Sequence, residues 1–197
     1  MLIQKGCGSF FVIGGFCCDL PLPADRVTPS THCGDCDKCL QACPTDALSR
    51  PYHLNARLCI AYLTMEYKGS IPLKLRPKMG RNIFGCDECQ VVCPWNKKRC
   101  VSAVEDFKPR ETWLAHDLVA LFKWTEAEFL RYTEGSSIRR LGYECFLRNI
   151  AIALGNSPFS IKRFNALKTR LEDPSALVRE HVSWAISIYQ ICSLAHL

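Results

Sequence analysis

Long apolar runs are missing from this 197-residue chain. No stretch approaches the roughly 18 uninterrupted apolar residues of a membrane-spanning helix, so no membrane span is expected. The opening MLIQKGCGSFFVIGGFCC has no charged leader followed by a long apolar run and a small-residue cleavage site, so it does not read as a secretory signal. Several catalytic signatures are absent too: there is no glycine-rich phosphate loop, no G-x-S-x-G elbow and no H-E-x-x-H. The 5 histidines are scattered, none at ligand spacing to another or to a carboxylate, and are expected to be structural.

Cysteine is what the chain has in excess, with 14 residues. In a small secreted protein that number would suggest a disulfide framework. Here the cysteines are bunched at metal-type spacings and no secretory signal precedes them, which points to a reducing, cytoplasmic compartment. Apolar residues at 48% and charged residues at 22% are otherwise ordinary for a globular chain.

The run CGDCDKCLQACP sets Cys33, Cys36, Cys39 and Cys43 at C-x2-C-x2-C-x3-C before Pro44, the ferredoxin spacing. Three thiolates two residues apart can wrap a tight loop around three irons of a cubane. The fourth, carried off by a helix start, serves a neighbouring cluster. The second half of the pattern returns as Cys86, Cys89 and Cys93 before Pro94, and Cys59 is the candidate for its missing leading cysteine. Following the crossed pairing of two-cluster ferredoxins, Cys33, Cys36, Cys39 and Cys93 are assigned to one 4Fe-4S cluster. Cys43, Cys59, Cys86 and Cys89 are assigned to the other. Zinc also favours four-cysteine sites, but ribbons of paired C-x2-C knuckles lack the third evenly spaced cysteine and the repeated C-x3-C-P. Cys17, Cys18 and Cys145 are expected in the core. Cys7, Cys100 and Cys192 have no partner spacing.

The net charge of +6 is uneven, with 13 Lys/Arg against 8 Asp/Glu in residues 1–100 and 12 against 11 in the remainder. Between Lys68 and Arg81, the bases Lys68, Lys74, Arg76, Lys78 and Arg81 occur with no acid among them. Such a cluster is either a solvated loop or a phosphate-facing surface.

Three segments follow. Residues 1–30 hold a short apolar run, Phe10 to Ile13, expected as a buried strand, and then an extended Pro-rich linker. Residues 31–100 are the two-cluster domain, with a helix predicted from Asn55, as N-cap, to Glu66. Residues 111–197 turn helical. Ile138, Leu141, Cys145, Ile150 and Leu154 share one face before a Gly155-Asn156 stop, and Leu177 to Ile191 follows Asp173-Pro174 as cap and first turn. A faint repeat between these two stretches is of the HEAT kind. The expected fold is therefore α+β, mostly α: a ferredoxin-like 4Fe-4S domain followed by HEAT-like helical repeats.

With these residues in view, the chain resembles the epoxyqueuosine reductases, cobalamin-dependent iron–sulfur enzymes of tRNA modification. The resemblance is carried by GSFFVIGGFCCDLPLPAD, HCGDCDKCLQACPTDAL, LNARLCIAYLTMEYKGSIP, IFGCDECQVVCPWNK, IRRLGYECFLRNIAIALGNSP and VREHVSWAI. It implies reduction of epoxyqueuosine to queuosine at the wobble position, with a corrinoid fed electrons by the two clusters. By the same resemblance Cys86, Asp87 and Ala61 lie beside the cobalamin. Glu66, Lys68 and Gly69 approach the tRNA, and Arg139, Arg140 and Arg148 belong to a tRNA-docking module. An electron donor protein and a monomeric state are also implied. Family members carry about another domain before the point where this chain starts. Residues 1–30 would then be a remnant of the cobalamin-binding domain, and the proton donor would lie outside this chain. The competing reading is a ferredoxin-type electron carrier with a helical docking domain.

Overall fold

Apolar side chains recurring every three or four residues after Asp117 leave the second half of the chain no stable option but packed helices. The computed structural model describes residues 2–4, 6–25, 33–98 and 101–194, the side chains of 112 and 192–194 excepted. Nine α-helices run through the described residues. Short ones lie in the cysteine-rich part: α1 (Lys38–Gln41), α2 (Ile60–Met65) and α3 (Glu88–Val91). Then come α4 (Glu111–Leu114), α5 (Leu118–Phe122), α6 (Glu126–Tyr132), α7 (Tyr143–Gly155), α8 (Ile161–Lys168) and α9 (Ala176–Leu194).

Helix ends follow from local chemistry. Thr125 and Glu128 make a reciprocal capping box at the start of α6, satisfying two backbone donors. Asp117 caps α5 through the Ala120 N–H at 2.8 Å, and Ser160 caps α8 through the Arg163 N–H at 3.3 Å. At α9 the cap is Ser175, whose hydroxyl accepts from the Val178 N–H at 3.3 Å. Asp173, expected there, instead accepts from the Ser175 N–H at 3.0 Å.

Two apolar clusters hold the chain together. The larger joins α5, α6, α7, α8 and α9, with Ile150, Ala151 and Leu154 of α7 against Val178, Val182 and Ala185 of α9. The smaller is shared between the halves of the sequence: Ile60, Leu63, Ile71, Leu75 and Met79 pack with Ile152 of α7 and the Trp184 ring. The cysteine-rich part therefore takes part of its apolar support from the helical part.

Five expectations need correction. The α+β class reduces to a mostly helical chain, because the described residues contain only two isolated β-bridges, Gln4 with Gly8 and Arg50 with His53. Phe10 to Ile13 is irregular and open, with Val12 80% and Phe16 89% exposed, and among the described residues no neighbouring strand pairs its backbone. Cys17 and Cys18 share that exposure and are not core, whereas Cys145 is buried as expected. The helix predicted from Asn55 splits into a 3-10 turn (Ala56–Leu58) and α2, with Cys59 extended between them. The helix predicted from Ile138 likewise begins as a 3-10 turn (Ser137–Leu141), and Gly142 at φ 84° breaks it from α7. Residues 26–30 and Cys100 lie outside the described residues, as does the side chain of Cys192.

Candidate metal centre

The two cysteine runs fold alike because they share D-x-C-x3-C-P. In each an aspartate precedes a four-residue helix: Asp37 before α1 and Asp87 before α3. In each a glutamine reaches back to that aspartate, Gln41 to Asp37 at 2.7 Å and Gln90 to Asp87 at 2.8 Å. The two helices lie side by side. They differ at the aspartate, since Asp87 alone takes the left-handed conformation, φ 55°, which aspartate tolerates better than most residues.

Between the helices Cys33, Cys36, Cys39 and Cys93 line one cavity of ≈ 290 Å³, completed by Lys38, Pro94 and Trp95. The donor set is four sulfurs with no carboxylate or imidazole, which suits a soft, thiophilic centre. Cys93 is buried, Cys39 half-buried, and Cys33 and Cys36 open to solvent. Burial first, and then the nearby Cys33 charge, pushes the Cys39 thiol up against two backbone hydrogen bonds. Among the described residues no three His, Cys, Asp or Glu side chains converge on a point as they would around one ion. A cubane takes one thiolate at each of four irons, so its ligands surround a space instead.

The other four cysteines are gathered as well. Burial, and behind it the charges of Glu88, Cys59 and Cys43, raises the Cys86 thiol against a backbone bond from Glu88. Burial and the charges of Cys59, Cys86 and Cys39 raise Cys89, so the two groups of cysteines are close enough to feel each other. At Cys43 desolvation acts upward too. It is outweighed by hydrogen bonds from backbone Leu48, Thr45 and Ala47 and from the Thr45 hydroxyl, which bring that thiol below its ordinary value. The Ala47 N–H stands 3.2 Å from Cys43 Sγ. Crowded thiolates repel one another, and iron bound among them would offset that repulsion.

Ala61 lies on α2, one turn before Thr64, whose hydroxyl accepts from the Gly85 N–H at 3.0 Å. The Ala61 helix and the turn carrying Cys86 and Asp87 are thereby tied together.

Around residue 68 the structure gathers the other predicted residues. Glu66 pairs with Arg140 at 2.7 Å, and Lys68 Nζ donates to the carbonyls of Arg140 at 2.9 Å and Leu141 at 2.5 Å. Gly69 follows directly, and Arg139 is exposed on the neighbouring turn. Arg148 departs from expectation. It is 0% exposed and donates to backbone carbonyls, so no phosphate reaches its guanidinium and its role is internal. The basic run 68–81 is likewise partly consumed within the fold. Arg76 is buried, donating to the Ile71 carbonyl at 2.8 Å and pairing with Glu180, and Lys78 pairs with Asp46 at 3.1 Å. Lys74 and Arg81 remain exposed. No single-sequence signal separates the buried arginines from the exposed ones.

Residues 32–96 match the family model of the 4Fe-4S double cluster binding domain. Over nearly its whole length the chain is also similar to curated epoxyqueuosine reductases. It is 52% identical to the enzyme of Pseudomonas aeruginosa over 186 residues, 94% of this chain and 52% of that protein. It is 46% identical to that of Escherichia coli over 187 residues, 95% of this chain and 49% of that protein. A crystal structure of epoxyqueuosine reductase with an epoxyqueuosine-modified tRNA-Tyr stem loop matches with a TM-score of 0.77 and 33% identity, covering 84% of this chain and 44% of that one. The Bacillus subtilis enzyme matches at a TM-score of 0.74 and 36% identity, over 85% of this chain and 45% of that one. The chain thus spans about half the length of the relatives it matches. Among the described residues no helix is long and apolar enough to cross a membrane.

Proposed function

We propose that this chain is the electron-relay and tRNA-docking part of an epoxyqueuosine reductase, acting on tRNA in the cytoplasm. The observation carrying this reading is homology to the reductases over 94% of the chain, which includes all eight cysteines of the ferredoxin-type pattern. Cys33, Cys36, Cys39 and Cys93 hold one 4Fe-4S cluster, and Cys43, Cys59, Cys86 and Cys89 the other. The second cluster is the one nearer the cobalamin, which Ala61, Cys86 and Asp87 adjoin. Cobalamin, when bound, supplies the reducing chemistry at the epoxide, and this chain's own residues hold the electron path and orient the RNA. Glu66, Lys68, Gly69, Arg139 and Arg140 form the RNA-facing surface, where phosphate contacts add affinity without reading sequence. Residues 31–100 are the ferredoxin-like domain, 111–197 the HEAT-like repeats, and 1–30 the edge of a cobalamin-binding domain. A protein donor reduces the clusters of a monomer. Family-specific flanks such as CIAYLTMEYKG favour this reading over a free-standing ferredoxin-type carrier.

The test is anaerobic reconstitution with iron and sulfide. The chain is then assayed with cobalamin, a low-potential reductant and epoxyqueuosine tRNA, in the presence of the half of the relatives' length that it does not span. Formation of queuosine is expected. Intact clusters that leave the epoxide untouched would overturn the substrate assignment, and zinc in place of iron would overturn the relay.

A further inference from the structure

We propose that Asn149 and Arg148 of α7 are positioning residues for the second cluster, so that the helical half of the chain sets the geometry of Cys59 and Cys86. The proposal rests on the cluster reading above.

Asn149 is 0% exposed. Its amide nitrogen donates to the Thr64 carbonyl at 2.9 Å and to the Ile83 carbonyl at 2.9 Å. Its amide oxygen accepts from Arg148 Nε at 3.0 Å and Nη2 at 2.9 Å. Both donors and both acceptor sites are thus used, which fixes the amide orientation: flipped, its oxygen would face two carbonyls.

The two carbonyls that Asn149 holds belong to two of the backbone segments that carry the second cluster's ligands, that of Cys59 and that of Cys86 and Cys89. Thr64 is in α2, and Cys59 is the N-cap of α2. Ile83 lies three residues before Cys86. Thr64 closes the triangle, its hydroxyl accepting from Gly85 N–H at 3.0 Å and donating to the Ile60 carbonyl at 2.7 Å.

Arg148 fixes the far end of the same helix. Nη1 donates to the Tyr67 carbonyl at 2.8 Å and the Gly69 carbonyl at 2.7 Å, and Nη2 to the Leu63 carbonyl at 2.9 Å. With the two bonds to Asn149, all five guanidinium donors are occupied. The last carbonyls of a helix have no partner within it and carry its negative dipole end, so a buried cation there satisfies both needs. The six-residue α2 is therefore held at its C-terminal end by α7 while its N-terminus presents Cys59. Cys33, Cys36 and Cys39 lie on a segment to which Arg148 and Asn149 make none of these bonds, and Cys93 is set apart from Ile83 and Cys86 by α3, so an effect confined to one cluster is the expected signature.

Asn149→Ala and Arg148→Lys are to be prepared anaerobically beside wild type, with Tyr189→Phe as a control. Tyr189 donates to the Leu154 carbonyl at 2.5 Å within the helical core, so its loss reports core destabilisation. Iron content, helical circular dichroism and paramagnetic resonance of the reduced clusters are measured on each. In Asn149→Ala one of two cluster signals should shift or vanish, and iron should fall from about eight toward about four atoms per chain, with the other signal unchanged. Tyr189→Phe should keep both signals. If a folded Asn149→Ala retains both signals unaltered, or if both clusters fade equally in it and in Tyr189→Phe, the positioning role is overturned. If Asn149→Ala does not fold, Thr64→Val puts the same question at constant side-chain volume: a change confined to one signal supports the role and an unchanged pair overturns it. Wild type lacking iron would instead sink the cluster reading itself.

Discussion

Gly155 of α7 meets Ala185 of α9 backbone to backbone: a Cβ at 155 would stand 2.9 Å from both Cα and Cβ of Ala185, and 2.9 Å from the Trp184 ring. The helix continues through this glycine to Asn156 because the close approach excludes any side chain, although glycine in a helix is itself unfavourable.

Gly155→Ala should therefore destabilise the protein. Overpacking a tight core costs about 1–3 kcal/mol. The intrinsic helix gain from alanine is about 1 kcal/mol, and it does not cancel the upper part of that range. A lower thermal midpoint is expected, and an unchanged or higher one would mean that α7 and α9 slide apart freely.

Crossed ligation makes a prediction that spectroscopy can check. Cys93→Ser should alter the same cluster signal as Cys39→Ser, although residue 93 is next to Cys89 in sequence and far from Cys39. If Cys93→Ser instead mimics Cys89→Ser, the uncrossed arrangement is correct.

His181 supplies a pH dependence. It is buried, its Nε2 accepting from the Ile71 N–H at 3.2 Å and its Nδ1 lying 2.8 Å from the Leu177 carbonyl, so the neutral ring is fully satisfied. Burial pulls its pKa down from 6.5 to about 4, with Arg76 and Arg148 adding to the shift and the Leu177 carbonyl and Glu180 opposing it. Between those values the unfolded chain binds more protons than the folded one. Stability is then complete above about pH 6.5 and is lost as pH falls toward 4, by an amount on the order of 3 kcal/mol. His181→Gln should start less stable at neutral pH and show a shallower decline across that window. Equal slopes for the two proteins would exclude His181 as the source.

Arg140 and Arg148 should separate cleanly. Arg140 is an exposed partner of Glu66, so Arg140→Ala should change stability by at most about 1 kcal/mol. Where Arg140 contacts phosphate, the same change should reduce the salt dependence of tRNA binding by about one ion released. Arg148→Ala should cost several-fold more stability, because it leaves buried carbonyls unpaired. Equal thermal midpoints for the two variants would contradict the burial difference.

The cysteine spacing and the helical period of the second half were legible because each is a local pattern read at fixed intervals. The split at Cys59 was not: Asn55 caps a turn whether or not that turn continues, and a single extended residue inside an otherwise helical stretch leaves no mark on periodicity. The run 68–81 misled in a similar way. Arg76 lies among exposed bases in sequence, yet its partners Glu180 and Trp184 are over a hundred residues away. Phe10 to Ile13 has the composition of a strand, and a strand needs neighbours that are absent from the described residues. Asn149 carries no signal at all, being one amide among many until the carbonyls of Thr64 and Ile83 are seen on either side.

One small clasp near the amino terminus ties these parts together. The Asn96 side chain takes the Ser9 N–H at 2.7 Å and gives to the Ser9 hydroxyl at 2.9 Å and the Gln90 carbonyl at 2.6 Å. The open apolar stretch from Phe10 onward is thus moored to α3, the helix that holds Cys89 and hands the chain on to Cys93. A pull on the Ser9 backbone is therefore passed through one amide to the short helix between Asp87 and Cys93.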